Sequence, residues 1–190
     1  DDFEAAPVDS LPAGASTLGE EGTARIRVTD ETAASGKHSL KFTDASGLQN
    51  AFNPHLVYAP SLHKGFATGL FAVRIEPGAI LFHEWRDSKS PYRIGPSLWI
   101  TGAGDLTVGG KVLAKVPLSE WIQLRVECKL GKQADGTWSL MLTQPGQEPR
   151  RFDGLAYGSK EFRHLDWYGF VSNATEAATM YLDDIDLKTE

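Results

Sequence analysis

The sequence predicts an all-β protein folded as a two-sheet antiparallel β-sandwich. Three observations carry this prediction: apolar and polar residues alternate with a period of two, glycine-rich turns separate the alternating stretches, and no segment shows the periodicity of an amphipathic helix. The 190 residues include 19 glycines and 10 prolines, which suits many short strands joined by turns. All-β chains of this length commonly fold as one unit. We therefore predict a single β-sandwich domain spanning residues 1–190.

The strands can be placed one by one from the alternation. The clearest is 121–130, in which every second residue is apolar, and a second strand at 137–143 follows it. Asp135 and Gly136 are typical hairpin-turn residues, so we expect these two strands to pair. Residues 5–22 lack periodicity and predict a long surface loop. In chain order, the predicted strands are 24–29, 38–43, 65–76, 78–87, 95–101, 106–114, 121–130, 137–143, 166–172 and 180–187.

The composition excludes several functional classes. A net charge of −6 and the absence of a basic stripe argue against nucleic acid as a partner. No apolar run approaches the roughly 20 residues that a membrane helix needs, so we expect no membrane insertion. The single cysteine, Cys128, excludes an internal disulfide. It alternates with the apolar residues of its strand, which predicts a buried thiol.

Both ends of the chain are acidic. The first four residues read DDFE, and the strand 180–187 contains three aspartates among apolar residues. Either phase of that strand places at least one carboxylate beside apolar neighbours, where an unpaired charge is costly. The strand has no Lys or Arg, and oxygen ligands from separate segments suit Ca²⁺. We expect the two ends to lie together around calcium; the alternative is solvated acids, or acids paired with Lys37 and Arg25.

Three segments together resemble secreted carbohydrate-binding modules with a concanavalin-like jelly roll: the opening DDFE, SGKHSLKF at 35–42 and YLDDIDL at 181–187. The resemblance implies a polysaccharide or oligosaccharide as ligand, an attached carbohydrate-active enzyme domain as partner, and an extracellular or periplasmic location. In such modules the glutamate of "FE", backbone oxygens of the "SGK-SL" segment and an aspartate of "DD" often hold a structural calcium ion. The calcium-binding residues implied by position are Asp2, Glu4, Lys37 through its backbone, Asp183 and Asp184.

The segment FHEWRDSKSPYRIGPSLW, residues 82–99, is unusually rich in aromatic residues and arginine. Flat aromatic rings suit the C–H faces of sugars, and the arginine fork suits carboxylate or sulfate groups, so an acidic polysaccharide is a candidate. If Leu81 and Trp85 face the core, Glu84 and Arg86 face outward, and we expect them beside the outward residues of strand 121–130. The candidate ligand-binding residues are His83, Glu84, Trp85, Arg86, Tyr92, Arg93, Trp99, Gln123, Arg125 and Trp167.

Each of these residues also has a structural interpretation. Most tryptophans of an all-β domain fill the core, and for Trp138 we expect burial. For Trp85 and Trp99, burial and ligand contact are equally favoured. Arg86 has an alternative role as a surface partner of Glu84 or Asp87, an interaction of small energy.

The sequence favours a non-catalytic glycan-binding module over three alternatives. A retaining hydrolase needs two carboxylates about 5–5.5 Å apart, and no acidic pair outside the last strand has suitable spacing. A structural or adhesive domain is a further alternative. His55 and His63 have no third ligand at a zinc spacing, so we expect surface histidines. A polysaccharide lyase needs a base and a group that neutralises the uronate, and the residues available for those roles are His83, Arg86, Tyr92, Arg93, Gln123 and Asn173.

Overall fold

The computed structural model describes residues 1–190 and contains fourteen β-strands and one 3-10 turn at Gly131–Gln133. The strands are β1 (Ser16–Leu18), β2 (Arg25–Thr29), β3 (Ser39–Asp44), β4 (His55–Tyr58), β5 (Gly65–Ile75), β6 (Leu81–Arg86), β7 (Ile94–Ile100), β8 (Asp105–Val108), β9 (Lys111–Lys115), β10 (Trp121–Leu130), β11 (Thr137–Thr143), β12 (Arg150–Ala156), β13 (Trp167–Ser172) and β14 (Ala178–Thr189). No helix in the structure has the length and apolar character needed to cross a bilayer.

The strands form two seven-stranded sheets, and all neighbouring strands pair antiparallel. Sheet A has the order β1-β4-β13-β6-β7-β8-β9, and sheet B has the order β12-β11-β10-β5-β14-β3-β2. A cluster of 34 buried residues fills the space between the sheets. The predicted antiparallel β-sandwich is therefore confirmed, and the two outer faces of the sheets are the surfaces on which a site can be built.

Strand β10 shows how alternation produces the core. Leu124 and Val126 point inward, and they pair across the hairpin with Leu142 and Leu140 of β11. The predicted hairpin is confirmed, although its connection is longer than a two-residue turn because the 3-10 turn precedes Gly136. Cys128 lies on the inner side of the same strand, and burial raises the pKa of its thiol to about 12. Trp138, on β11, is also buried, as predicted.

Residues 106–114, which the alternation predicts as one strand, are divided between β8 and β9. Gly109 and Gly110 both have positive φ, 54° and 77°, and they form a tight hairpin turn. Two consecutive residues of positive φ are what a two-residue hairpin loop requires, and glycine adopts this conformation without steric cost. The two glycines of LTVGGKVLA thus mark a reversal of the chain.

Three strands were not predicted. β1 has only three residues and lies within the segment 5–22, which we expected to be a loop. β4 has four residues, two of them buried side by side. β12 is an edge strand with mostly exposed residues, so it carries no apolar alternation. Each of these strands is held by pairing with a neighbour and not by a pattern of its own.

The two sheets approach closely at Gly69 of β5. A Cβ atom at this position would lie 2.8 Å from the ring of Trp85 and 3.0 Å from the hydroxyl of Tyr168, both on sheet A. The absence of a side chain at Gly69 lets two large rings of the opposite sheet reach the backbone of sheet B. This contact fixes the separation of the sheets below β6 and β13.

The two ends of the chain lie side by side. β14 occupies the middle of sheet B between β5 and β3. The amide of Ile185 donates to the carbonyl of Asp1 at 3.0 Å, and the terminal ammonium of Asp1 donates to the carbonyl of Ile185. A bulge interrupts β14 between Asp183 and Asp186, where Asp184 has a φ of 49°. The predicted contact between the ends is confirmed.

Candidate functional site

The outer face of sheet A carries an aromatic cleft with a volume of about 430 Å³. It spans β4, β13, β6 and β7 and is closed at its rim by residues of the loops before β4 and after β6. A concave, mostly apolar cleft with a few polar groups is the usual form of a ligand site. The residues that line the cleft are Phe52, His55, Phe82, Arg86, Tyr92, Trp99, Trp167, Val171 and Asn173.

Strand β6 divides its residues between the core and this cleft. Leu81 and Trp85 are fully buried between the sheets. The alternate residues of the strand point to the other side, so that Phe82 and Arg86 line the cleft. This is the phase in which Glu84 and Arg86 face outward.

His83 and Trp85 lie in the core, so the prediction that they contact a glycan is wrong. Both are fully buried. The indole Nε1 of Trp85 donates to Nε2 of His83 at 2.9 Å, and Nδ1 of His83 donates to the carbonyl of Gly169 at 2.8 Å. Burial lowers the pKa of His83 to about 3, so the ring is neutral and has a structural role. The inward phase of β6 places both side chains beyond the reach of a polymer.

Arg86 is the central polar group of the cleft. Its guanidinium carbon lies 4.3 Å from the ring centre of Tyr92 and 4.0 Å from that of Trp167. Its Nε donates to Glu84, which is buried, and its two terminal nitrogens make no hydrogen bond within the protein. Aromatic contact and the ion pair fix the plane of the guanidinium. The terminal N–H groups therefore remain free to bind a ligand in a fixed geometry.

Glu84 neutralises part of this positive charge from below. Burial raises the pKa of its carboxyl group, while the hydrogen bond and charge of Arg86 act in the opposite direction. The alternative in which Arg86 pairs with Glu84 is thus confirmed, but the pair is not a solvated surface pair. It lies at the base of the cleft and orients the arginine.

Two flat aromatic surfaces flank the arginine. The rings of Phe82 and Trp99 stack at 4.3 Å with an interplanar angle of 20°. Trp167 lies over Gly169, where an added Cβ atom would be only 1.9 Å from the indole ring. Gly169 therefore allows the indole to lie flat against the outer face of sheet A. Both tryptophans are partly exposed, so part of each indole ring can contact a sugar.

His55 and Asn173 complete the polar lining. Nδ1 of His55 donates to the carbonyl of Phe52 at 3.1 Å. A carbonyl oxygen accepts only, so the ring proton is on Nδ1 and Nε2 carries a free lone pair. Burial, and secondarily the charge of Arg86, lower the pKa of His55. A neutral imidazole with an unoccupied Nε2 is thus present in the cleft.

Besides His83, Glu84 and Trp85, three more of the candidate residues do not line the cleft. Gln123 and Arg125 lie on the outer face of sheet B, so the prediction that they join Glu84 and Arg86 in one polar surface is wrong. The alternation of β10 and β6 gives the inward and outward phases but does not show that the strands belong to different sheets. Arg93 lies behind the rim, where it donates to the carbonyl of Glu161 at 3.3 Å.

Sequence reasoning missed four of the lining residues as ligand contacts: Phe52, His55, Phe82 and Val171. His55 belongs to the short strand β4, which has no clear alternation. Phe52 lies in the loop before it. Phe82 could have been predicted from the sequence, because it lies on the same side of β6 as Arg86, which is a candidate ligand-binding residue. The pairing of β4 and β6 with β13 brings all these segments together.

Glu4 joins the first residues to the loop before β3. Its Oε1 accepts the backbone N–H groups of Lys37 at 2.8 Å and His38 at 2.7 Å, and these bonds lower the pKa of its carboxyl group. A Cβ atom at Gly36 would lie 2.4 Å from the same oxygen, so this glycine is required for the contact. Asp2 accepts only the N–H of Glu4, at 3.3 Å. Lys37 takes part through its backbone and not through its charge.

Asp183 is fully buried at the bulge of β14 and is satisfied by backbone donors. Its Oδ2 accepts the N–H groups of Ala34 at 2.8 Å and Ser35 at 3.3 Å, and its Oδ1 accepts that of Asp184 at 2.8 Å. Burial still raises its pKa. The hydroxyl of Ser35 donates to Oδ1 of Asp184 at 2.7 Å. Asp2, Glu4 and Asp184 each keep one carboxylate oxygen without a hydrogen bond from the protein.

Comparison with protein-family models and with curated proteins finds no match to the sequence. Solved structures do share its fold. An endo-β-1,4-glucuronan lyase from Trichoderma reesei has a TM-score of 0.63 at 12% identity, covering 100% of this chain and 94% of that one. A cellulose-induced protein has a TM-score of 0.66 at 12% identity, covering 100% and 96%. An alginate lyase from Aplysia kurodai has a TM-score of 0.63 at 10% identity, covering 94% and 91%.

At these identities the similarity shows the fold alone. The chain has the β-sandwich architecture found in polysaccharide lyases and other carbohydrate-active proteins. Because one fold supports many functions, the role of this chain has to be argued from its cleft.

Proposed function

We propose that this protein binds acidic polysaccharide in the aromatic cleft of sheet A. The observation that carries the proposal is Arg86, whose guanidinium lies against the rings of Tyr92 and Trp167 with its terminal N–H groups free. A uronate residue has the complementary groups, because its C–H face packs on an aromatic ring and its carboxylate accepts two parallel hydrogen bonds. A sulfate group on a sugar also offers two oxygens to the same fork.

The proposed interaction is specific but of modest strength. A hydrogen bond to a charged group contributes about 1.5–3 kcal/mol. The apolar faces of the rings beside Arg86 favour such a bond between its guanidinium and a carboxylate. Against this, a flexible polymer loses conformational freedom when it is ordered on a surface. The cleft volume of about 430 Å³ also lies near the lower end of ligand sites, so only a short segment of polymer is in contact.

The names of the structural neighbours support the acidic class. Two of them are lyases of glucuronan and alginate, which are uronate polymers. We infer the same class of ligand here by analogy of fold together with the presence of Arg86 in the cleft. An extracellular or periplasmic location, where such polymers occur, and tethering of an attached carbohydrate-active enzyme follow as parts of this proposal.

The test is calorimetric binding of polyuronate oligosaccharides, with neutral oligosaccharides of equal length as the control ligands. We expect binding of the uronates only. Trp167→Ala should weaken it about tenfold, since stacking on one aromatic ring is worth roughly 1 kcal/mol or more. Trp121→Ala is the matched control, because this half-buried tryptophan lies on the outer face of sheet B. Equal loss in both variants, or equal binding of neutral sugars, would contradict the proposal.

A second candidate function is eliminative cleavage of the bound polymer, and His55 is the observation that favours it. Its unprotonated Nε2 can take the proton from the carbon that bears the carboxylate, while Arg86 and Asn173 neutralise that carboxylate. The electron pair of the C–H bond then forms a carbon–carbon double bond as the glycosidic C–O bond breaks. The departing oxygen takes a proton from the hydroxyl of Tyr92 or from water. All four side chains line the cleft.

Cleavage by this route creates an unsaturated uronate, which absorbs ultraviolet light. A lyase predicts a rise in absorbance when uronate polymers are incubated with the protein, and His55→Asn should abolish it while binding persists. Asparagine keeps an N–H donor near the carbonyl of Phe52 but offers no base. Tight binding without any rise in absorbance would leave the non-catalytic module as the function. Binding of a protein partner with no glycan binding would favour the structural or adhesive alternative.

We further propose that Ca²⁺ binds at the junction of the chain ends. The donor set fits in part: Glu4 and Asp184 have free carboxylate oxygens, whereas Asp183 is already occupied by N–H donors. Calcium there would therefore depend on carbonyls and water as well as carboxylates. A ligand of the native state raises the melting temperature, so calcium should raise it and a chelator should reverse the shift. Glu4→Gln should remove the response.

A further inference from the structure

The structure assigns a second polar cluster at the end of the sandwich, formed by His63, His164 and Asp166. Nε2 of His63 lies 2.7 Å from Oδ1 of Asp166, and the two imidazole rings stack at 4.6 Å. One potential ligand atom from each residue lies within 4.8 Å of the others. We propose that this cluster binds a divalent transition-metal ion, with Zn²⁺ the best match. The proposal is independent of the glycan-binding function.

The backbone brings these residues together. Leu62 and Leu165 form an isolated antiparallel bridge, with N–H···O distances of 2.9 and 2.8 Å. In an antiparallel pair the residue after Leu62 lies opposite the residue before Leu165, so His63 and His164 are cross-strand neighbours. The leucine side chains point toward the core, and the imidazoles face outward. The two nitrogen ligands are thus held by main-chain hydrogen bonds and not by flexible side chains alone.

Asp166 is fixed by separate contacts. Its Oδ2 accepts the N–H of Ser88 at 3.0 Å, which leaves Oδ1 directed toward His63. Its own amide donates to the carbonyl of Arg86 at 2.9 Å. Carboxylates that bind metals are commonly held in position by a second hydrogen bond of this kind. The cluster therefore has three ligands from two segments, each with a fixed backbone.

The donor chemistry favours zinc over calcium. Two imidazoles and one carboxylate suit Zn²⁺ and its neighbours in the first transition row, whereas Ca²⁺ prefers oxygen ligands alone. Ligand atoms around a tetrahedral zinc ion are about 3.4 Å apart, so the present separations need small rotations of exposed rings. Three ligands leave one position open for water. The spacing of His55 and His63 along the chain shows no zinc site. His63 nevertheless has two potential co-ligands, His164 and Asp166, which lie far from it in sequence.

Nearby positive charges limit the expected affinity. Lys64, Lys132 and Arg163 line the adjacent groove, and their repulsion weakens the binding of a cation. The guanidinium of Arg163 donates to the carbonyls of Lys160 and Phe162, both at 2.6 Å, so its position is fixed. We therefore expect weaker binding than at buried structural zinc sites.

The test is titration of the whole chain, without a histidine tag, with Zn²⁺ followed by calorimetry, and with Co²⁺ followed by visible absorption. We expect one equivalent to bind and ligand-field bands to appear with Co²⁺. His164→Ala should weaken binding by about 10–100-fold, in the range seen when metal sites lose a supporting group. His164 makes no hydrogen bond within the protein, so its loss should leave the fold intact. Asp166→Asn should give a similar loss in affinity.

His38→Ala is the matched control, because His38 is a partly exposed histidine outside the cluster. It should bind Zn²⁺ as the unchanged protein does. Equal weakening by His38→Ala and His164→Ala would show adventitious binding to surface histidines and overturn the proposal. Unchanged affinity in both His164→Ala and Asp166→Asn would also overturn it.

Discussion

The outer faces of sheets A and B each carry an arginine two residues away from a glutamate on the same strand. On sheet A, Arg86 pairs with Glu84 and lies against two aromatic rings. On sheet B, Arg125 is 45% exposed and pairs with Glu127 at 2.8 Å, and Glu127 also binds Arg151 at 2.9 Å. The same local sequence pattern thus gives two different surfaces.

The difference lies in what surrounds the charge. An arginine against aromatic rings is partly desolvated, so its attraction for an anion is less weakened by water and salt than that of an open surface arginine. Its plane is also fixed before a ligand arrives. On sheet B, Arg125 and Arg151 share Glu127 as their partner, and both arginine side chains are exposed. The ion pair is common to both arginines, and the aromatic neighbours are what distinguish Arg86 from Arg125.

The largest effect is expected from Arg86→Ala set against Arg125→Ala. Loss of Arg86 should reduce uronate affinity by about 10–100-fold, because hydrogen bonds to a charged group are lost. It should also lower the free energy of unfolding by about 1–3 kcal/mol, because buried Glu84 is left without its partner. Arg125→Ala should change affinity little and stability by less than about 0.5 kcal/mol. Calorimetry and chemical denaturation measure the two quantities.

Arg86→Lys separates charge from geometry in this comparison. Lysine keeps the positive charge near Glu84 but has neither the planar fork nor the stacking surface. We expect stability close to that of the unchanged protein and an affinity between those of Arg86 and Ala. If all three arginine variants bind uronates equally, the two faces do not differ in function.

A second prediction concerns the redundancy of sheet B. Arg125→Ala and Arg151→Ala should each have little effect alone, because Glu127 keeps one arginine in either case. The double variant leaves Glu127, which is 8% exposed, without a cation and should cost about 1–2 kcal/mol in the free energy of unfolding. Denaturation of the four proteins as a double-mutant cycle measures the coupling. Strict additivity would show that the network is not cooperative.

The smallest effect is a difference in pH dependence. Burial raises the pKa of Glu84, so the folded state holds this proton more tightly, and ionisation of Glu84 lowers stability as the pH rises above the ordinary carboxyl range. Glu84→Gln should therefore gain stability relative to the unchanged protein as the pH rises from about 4.5 to neutrality. On sheet B, hydrogen bonding by Lys41 lowers the pKa of Glu31. Glu31→Gln should lose relative stability as the pH rises.

Melting temperatures of the three proteins across this pH range check the two opposite slopes. Parallel curves for Glu84→Gln and the unchanged protein would mean that the base of the cleft is hydrated and that Glu84 titrates normally. The comparison between the faces would then rest on aromatic contact alone.

Much of the fold could be predicted because apolar and polar residues alternate with a period of two along most strands of the sandwich. β10 and β11 each have a clear apolar side, and so do most strands that contribute to the core. β12 could not be found this way, because an edge strand with little buried area has no apolar side. β1 and β4 are too short for a pattern. These strands depend on pairing with neighbours that lie far away in sequence.

The cleft was predicted in part. The composition of residues 82–99 pointed to Arg86, Tyr92 and Trp99, which do line the cleft, since aromatic residues next to arginine are unusual on an ordinary surface. The order of strands within a sheet is not encoded in local alternation, so Gln123 and Arg125 were placed on the wrong face. His83 and Trp85 share a phase with Leu81, and that phase turned out to be the inner one.

The shape of the cleft on sheet A depends on Gly69, which lies on the opposite sheet. The missing side chain on sheet B lets Trp85 settle deeply, and Arg86 is the next residue along the same strand. A methyl group at Gly69 would clash with the ring of Trp85 and displace β6 outward. The absence of a side chain at Gly69 therefore helps to set the position of Arg86, and a substitution there would change the cleft without altering any residue that lines it.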